Sequence, residues 1–207
     1  MAKNEFYKDS FLPFGVKGME IMTRIFVKKI SKVKKFQISN KDEGILKKTF
    51  KSAALITCNH PTDADPPTLY SLLRKMKLEF RIMTARDVMS RWPSPFRKIA
   101  QMGGCFSVDR LKVDRKALSR SIEILSNNKT LIIFPEGKTH GQSSRIIPYQ
   151  PGPIKIALWA SKKIKKSLKL LPVAIYYSII GDKEKIVNDR LLELESTLGI
   201  DQNNSIS

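Results

Sequence analysis

The chain has 207 residues, 38 of them Lys or Arg against 19 Asp or Glu, which gives a formal net charge of +19. With 42% hydrophobic and 28% charged residues, and only 10 Gly and 11 Pro, the composition is that of one folded domain and excludes a disordered, collagen-like or low-complexity chain. The charge does not bear on fold; it selects partners that are anionic, namely nucleic acid, a membrane surface or phosphate-bearing substrates.

The N-terminus, MAKNEFYKDS, carries acids and lacks the apolar core of a secretory signal. No stretch reaches the roughly 18 uncharged apolar residues of a spanning helix. Any relation to a membrane is therefore expected to be peripheral, from the cytoplasmic side. From Val16 to Phe36, residues Met19, Met22, Phe26, Ile30 and Val33 recur at three- and four-residue spacing, with Lys17, Arg24, Lys28 and Lys35 opposite. This predicts a basic amphipathic helix. Its apolar side lies either on the protein's own core or in the lipid interface, and the bulky Phe11, Leu12 and Phe14 just before it favour lipid. Residues 1–40 are thus read as an amphipathic, membrane-interfacial segment ahead of a domain over 41–207.

Beyond it, apolar or β-branched runs at 53–58, 80–84, 105–108, 131–134 and 170–177 predict strands. Helical stretches at 67–77, 95–101, 115–127 and 153–166 separate them, and a last one covers 183–198. The alternation predicts an α/β fold with a central, mainly parallel sheet flanked by helices, so chemistry is expected in loops at the C-terminal ends of strands. Cys58 and Cys105 sit in apolar surroundings without a ligand-spaced partner. Neither a metal site nor a disulfide framework is predicted, and the compartment reads as reducing.

Three of these loops carry polar chemistry. Residues 57–67 read Thr-Cys-Asn-His-Pro-Thr-Asp-Ala-Asp-Pro-Pro, with His60 directly after a buried strand and two acids behind it. A neutral imidazole takes a proton from an alcohol near pH 7, and a carboxylate on its other nitrogen fixes the tautomer. Asp65 is one candidate partner and Asp63 the nearer alternative. No nucleophile-elbow serine or cysteine is present, so the nucleophile is expected to arrive with the substrate. Residues 103–110, Gly-Gly-Cys-Phe-Ser-Val-Asp-Arg, end in Arg110, whose planar fork suits phosphate. Residues 131–140, Leu-Ile-Ile-Phe-Pro-Glu-Gly-Lys-Thr-His, present Glu136, Gly137 and Lys138 after a buried strand. Glu136 is either a structural acid tying loops together or a substrate contact.

Together, residues 59–65, 104–110, 134–137 and 171–174 resemble, in order and spacing, the four motif blocks of the glycerolipid acyltransferases, most closely those acting on 1-acylglycerol-3-phosphate. The resemblance spans residues 53 to about 177. It implies that His60 is the general base and Asp65 its orienting acid, which leaves Asp63 a bystander. It also implies that Gly104, Phe106 and Arg110 bind the acceptor's phosphate, and that Glu136 and Gly137 shape the acceptor site. The family commonly has an arginine two residues after the glycine of its Phe-Pro-Glu-Gly block, where this chain has Lys138 and Thr139; Lys138 or Arg145 would then supply that charge. The last strand of the family's sheet is expected to be missing after residue 177.

The implied reaction moves a fatty acyl chain from acyl-coenzyme A or acyl carrier protein to a lysophospholipid hydroxyl, with no other cofactor. The basic surplus then serves acceptor phosphate, donor and anionic membrane alike, with Lys162–Lys166 and Lys28–Lys35 as its densest runs. Two rivals are a nucleic-acid-binding module, for which no recognisable motif is present, and a lipid-binding relative without catalysis.

Overall fold

Among the described residues five strands, β1 (Ala54–Cys58), β2 (Phe80–Ala85), β3 (Cys105–Val108), β4 (Thr130–Ile133) and β5 (Lys169–Val173), pair in the order β3-β2-β4-β1-β5, and each of these pairings is parallel. The computed structural model describes residues 5–139, 141, 147–164 and 167–199. They fall into two units, Met1–Ile175 and Tyr176–Ser207. In the second, α8 (Lys183–Leu198) starts at Asp182, whose carboxylate accepts from the Lys185 amide, and ends at Gly199 in the left-handed region.

Successive side chains of a strand point to opposite faces, and the core divides accordingly. Ile56, Cys58, Ile82, Cys105, Ile132 and Phe134 join Leu69, Tyr70 and Leu73 of α3 (Asp65–Lys75) on one face. Leu55, Phe106, Leu131 and Ile133 meet α6 (Arg115–Ser126) and α7 (Gly152–Lys163) on the other. β1 and β4 are neighbours whose crossovers leave in opposite directions, toward β2 and toward β5. The crevice at their C-terminal ends is where an open α/β sheet takes a ligand.

α5 (Ser94–Met102) matches the helix expected at 95–101, whereas two other helices escaped the sequence pattern: α4 (Arg86–Arg91), before α5, is too short for a period to show, and the second lies ahead of β1. α2 (Asn40–Thr49) is strongly polar and rests on its cap, where Ser39 Oγ accepts from the Asp42 amide at 3.0 Å, and on a Glu43–Lys47 pair at 2.6 Å.

The amphipathic helix is shorter than the sequence suggests. α1 (Pro13–Ile25) passes into a π-helical turn, Phe26–Ile30, and Val33 and Lys35 lie beyond it. Val16, Thr23 and Val27 are buried, with Met19 and Met22 half-buried beside them. Ser71 of α3 bonds Thr23 at 3.1 Å and Arg74 bonds Glu20 at 2.9 Å, so the part of the apolar stripe at Met19 and Met22 lies on the fold, while Ile30 of the same stripe is exposed. The outward side carries Phe14, Ile21 and Ile25, all exposed, with Lys17 and Arg24.

Residues 5–12 run beside β3, the Tyr7 amide donating to Ser107 Oγ at 2.8 Å and the Ser107 amide to the Tyr7 carbonyl at 2.9 Å. This strap covers a sheet edge. It also carries Asp9, wholly buried, whose carboxylate takes Arg81 Nε at 3.0 Å and both Nε and Nη2 of Arg120 at 2.7 Å. Hydrogen bonding to the Asp9 carboxylate holds the Arg120 pKa above the usual guanidinium range. Residues 5–12, at the start of the segment read as 1–40, are thus anchored to the sheet.

Candidate active site

His60 follows β1 by two residues. Its Nδ1 lies 2.9 Å from Asp65 Oδ2. Asp65 is wholly buried and opens α3, with Pro66 and Pro67 behind it at the first helical positions, where a missing N–H costs nothing. The same Oδ2 accepts the Thr62 amide at 2.8 Å, while Thr62 Oγ1 stands 3.4 Å from Oδ1. A carboxylate only accepts, so the imidazole proton sits on Nδ1 and Nε2 keeps its lone pair. The ring rests on Phe134, centroids 4.5 Å apart, and remains partly open to solvent. Asp63 is exposed on the same turn. Cys58 offers no nucleophile, because burial, helped by the Asp65 charge, pushes its thiol far above the usual range.

The second strand end locks onto the first. Glu136, 5% exposed, accepts the His60 amide at 3.1 Å through Oε1, so the buried acid ties the β4 turn to the histidine loop. Gly137 holds φ +75°, a conformation that β-carbon-bearing residues rarely adopt. Its amide closes the turn on the Phe134 carbonyl at 3.1 Å, and the Gly141 amide returns to the Pro61 carbonyl at 2.9 Å. Lys138 is exposed next to this turn. Arg145, the alternative to it, lies outside the described residues, as do Lys165 and Lys166.

Arg110 follows β3 and reaches across to the same turn. Its Nη1 donates to the Gly137 carbonyl and its Nη2 to Asp87 Oδ2 at 2.7 Å. The structure therefore joins His60, Asp65, Arg110, Glu136 and Gly137 through direct contacts, with Lys138 adjoining. Gly104 and Phe106 lie apart from them. Gly104 precedes β3 at φ +101°, and a β-carbon there would come within 2.9 Å of the Phe80 carbonyl oxygen. At about 3.3 Å per residue it stands roughly 20 Å along the strand from Arg110. Phe106 is wholly buried against the helical layer of α6 and α7. Both occupy packing positions that fix β3.

Three contributors went unread in the sequence. Asn59 exchanges two bonds with the main chain of Ile175, at 2.9 and 2.6 Å, and so joins the ends of β1 and β5. Thr62 fixes Asp65, a role that its place three residues before a helix start could have signalled. Phe134 supplies the wall under the imidazole. Among the described residues no three His, Cys, Asp or Glu side chains gather as metal ligands, and no helix is long and apolar enough to cross a membrane.

A family model described as Acyltransferase matches residues 24–176. No curated protein matches the sequence. Among solved structures, the crystal structure of the 1-acyl-sn-glycerophosphate (LPA) acyltransferase PlsC from Thermotoga maritima is similar over 93% of this chain and 97% of that one, at 12% identity and a TM-score of 0.38.

Proposed function

The chain belongs to the acyltransferase family, and on that premise we propose that it moves a fatty acyl chain from acyl-coenzyme A or acyl carrier protein to the free hydroxyl of a lysophospholipid, with 1-acylglycerol-3-phosphate as acceptor and phosphatidic acid as product. The observation that carries the reading is the 2.9 Å contact between His60 Nδ1 and the buried Asp65 carboxylate, which leaves Nε2 as the proton acceptor. Nε2 takes the hydroxyl proton while the oxygen attacks the thioester carbonyl; the C–S bond then breaks and the leaving thiolate takes the proton back. No acyl-enzyme is needed. Such general-base help is worth about a hundred- to ten-thousandfold, and holding hydroxyl and thioester in attack geometry adds to it.

Arg110, with Lys138 beside the same turn, takes the acceptor phosphate, while Glu136 and Gly137 set the turn that separates phosphate from hydroxyl. Gly104 and Phe106 serve at one remove by fixing the strand that delivers Arg110. The outward side of α1, apolar side chains among cations, rests on an anionic membrane surface from which the acceptor is drawn.

The test is transfer of a radiolabelled acyl chain from acyl-coenzyme A to lysophosphatidate. His60→Ala abolishes it with the fold intact, and Arg110→Ala raises the KM for acceptor. Full activity in His60→Ala would sink the assignment.

A further inference from the structure

Two arginines stand at the corner made by the ends of β2 and β3, and their partners differ in kind. Arg86 is fixed: it bonds Asp109 at 3.4 Å and Asp114, and Asp114 in turn caps α6 through the Lys116 and Ala117 amides, both at 3.1 Å. Arg110 is held by an acid with no such second duty. Ala85 of β2 faces Val108 of β3 in register, so the chain two residues further on brings Asp87 beside Arg110. Asp87 Oδ2 then takes Arg110 Nη2 at 2.7 Å. The carboxylate is 47% exposed and the guanidinium 35%, and Arg91 stands 3.7 Å from that same Oδ2.

We infer that Asp87 is the resident counter-ion of Arg110, displaced toward Arg91 when a phosphate arrives, and that it thereby tunes how tightly the site takes a phosphate-bearing acceptor. The inference rests on the acceptor reading given above. A carboxylate against Nη2 occupies one of the N–H groups a phosphate oxygen would use and repels the incoming dianion. Because the pair is half-exposed it breaks cheaply. Arg91, one helical turn along, gives the released carboxylate a second cation, so the exchange strands no charge.

The experiment compares KM for lysophosphatidate in wild type, Asp87→Asn, Arg110→Ala and the double variant, with half-inhibition by inorganic phosphate as a second readout. Asp87→Asn lowers both values by about two- to fivefold, the scale of a half-exposed ion pair. The effect vanishes in the Arg110→Ala background. Arg91→Ala, which removes the alternative partner, raises KM. If Arg110→Ala raises KM while Asp87→Asn leaves it unchanged or raises it too, the inference about Asp87 falls and the acceptor reading stands. If Arg110→Ala leaves KM unchanged, or wild type transfers nothing to lysophosphatidate, the acceptor reading falls and takes this one with it.

Discussion

Asp65→Asn separates two services that one carboxylate gives His60. Oδ2 accepts from the Thr62 amide at 2.8 Å and from His60 Nδ1 at 2.9 Å. The Thr62 N–H is a main-chain donor and cannot change its role, so an asparagine here turns its carbonyl oxygen to that position. The oxygen still accepts from Nδ1–H. The amide nitrogen takes the place of Oδ1, 3.4 Å from Thr62 Oγ1, which can accept from it. Tautomer and ring orientation survive, and only the negative charge is lost. That charge matters when the imidazolium forms, since two unit charges about 4 Å apart at an effective dielectric of about 20 attract by about 4 kcal/mol. At 1.36 kcal/mol per tenfold, kcat falls by at most about a thousandfold. Asp65→Ala removes the orienting acceptor as well and costs about ten thousandfold, the scale seen when a base is left in the wrong tautomer. Single-turnover release of coenzyme A thiol measures both, with circular dichroism confirming the fold. An asparagine variant as slow as the alanine variant, or as fast as wild type, would refute the division of roles.

Asp9→Ala leaves Arg81 and Arg120 in the fold without their shared acid, with side chains only 10% and 15% exposed. Stability should drop by about 3–5 kcal/mol, read as a lower urea midpoint at unchanged slope; a loss under 1 kcal/mol would mean the cluster is solvated. Because residues 1–35 include this anchor, membrane attachment is tested by substitution and not by truncation. Ile21→Ser with Ile25→Ser should weaken sedimentation with anionic liposomes by about tenfold or more, since each side chain buried in lipid contributes roughly 1.5 kcal/mol or above. Unaltered sedimentation would clear α1 of the role. Burial raises the Cys105 thiol to about 12, helped by the charge of Asp9, and raises Cys58 further still. At pH 8 neither is then a thiolate, and iodoacetamide should label them only as fast as the protein opens; labelling at the rate of a free thiol, detected by mass spectrometry, would contradict their burial.

The strands were legible because each is a short apolar run between turn residues, and β3 falls at residues 105–108 as expected. The dyad was legible for a related reason: both its members lie in one loop, and the two prolines after Asp65 mark the helix start that turns its carboxylate back to His60. Spacing alone could not choose between Asp63 and Asp65, because the choice depends on which acid the helix start buries. Long-range pairings left no local trace. Asp9 meets Arg120 across 111 residues and the Tyr7 amide meets Ser107 across 100, so nothing local marked residues 5–12 as a strap on the sheet. The period of α1 left its apolar side open between core and lipid for a similar reason. Period alone marks which residues are apolar, and the fold then claimed one apolar side and left a second, of Phe14, Ile21 and Ile25, outside.

Sheet order explains why the site needs its glutamate turn. His60 follows β1 and Arg110 follows β3, and β2 and β4 stand between them. At about 4.8 Å per strand the two chain ends are roughly 14 Å apart, whereas the hydroxyl and phosphate of one glycerol phosphate are separated by a few bonds. The turn after β4 closes that gap from the middle. Glu136 takes the His60 amide on one side, and the next residue, Gly137, takes the Arg110 guanidinium on the other. Two adjacent residues thus set the spacing between His60 and Arg110, the proton acceptor and the anion site of the proposed reaction. The left-handed backbone at Gly137 is what lets one carbonyl face Arg110 while the preceding side chain faces β1.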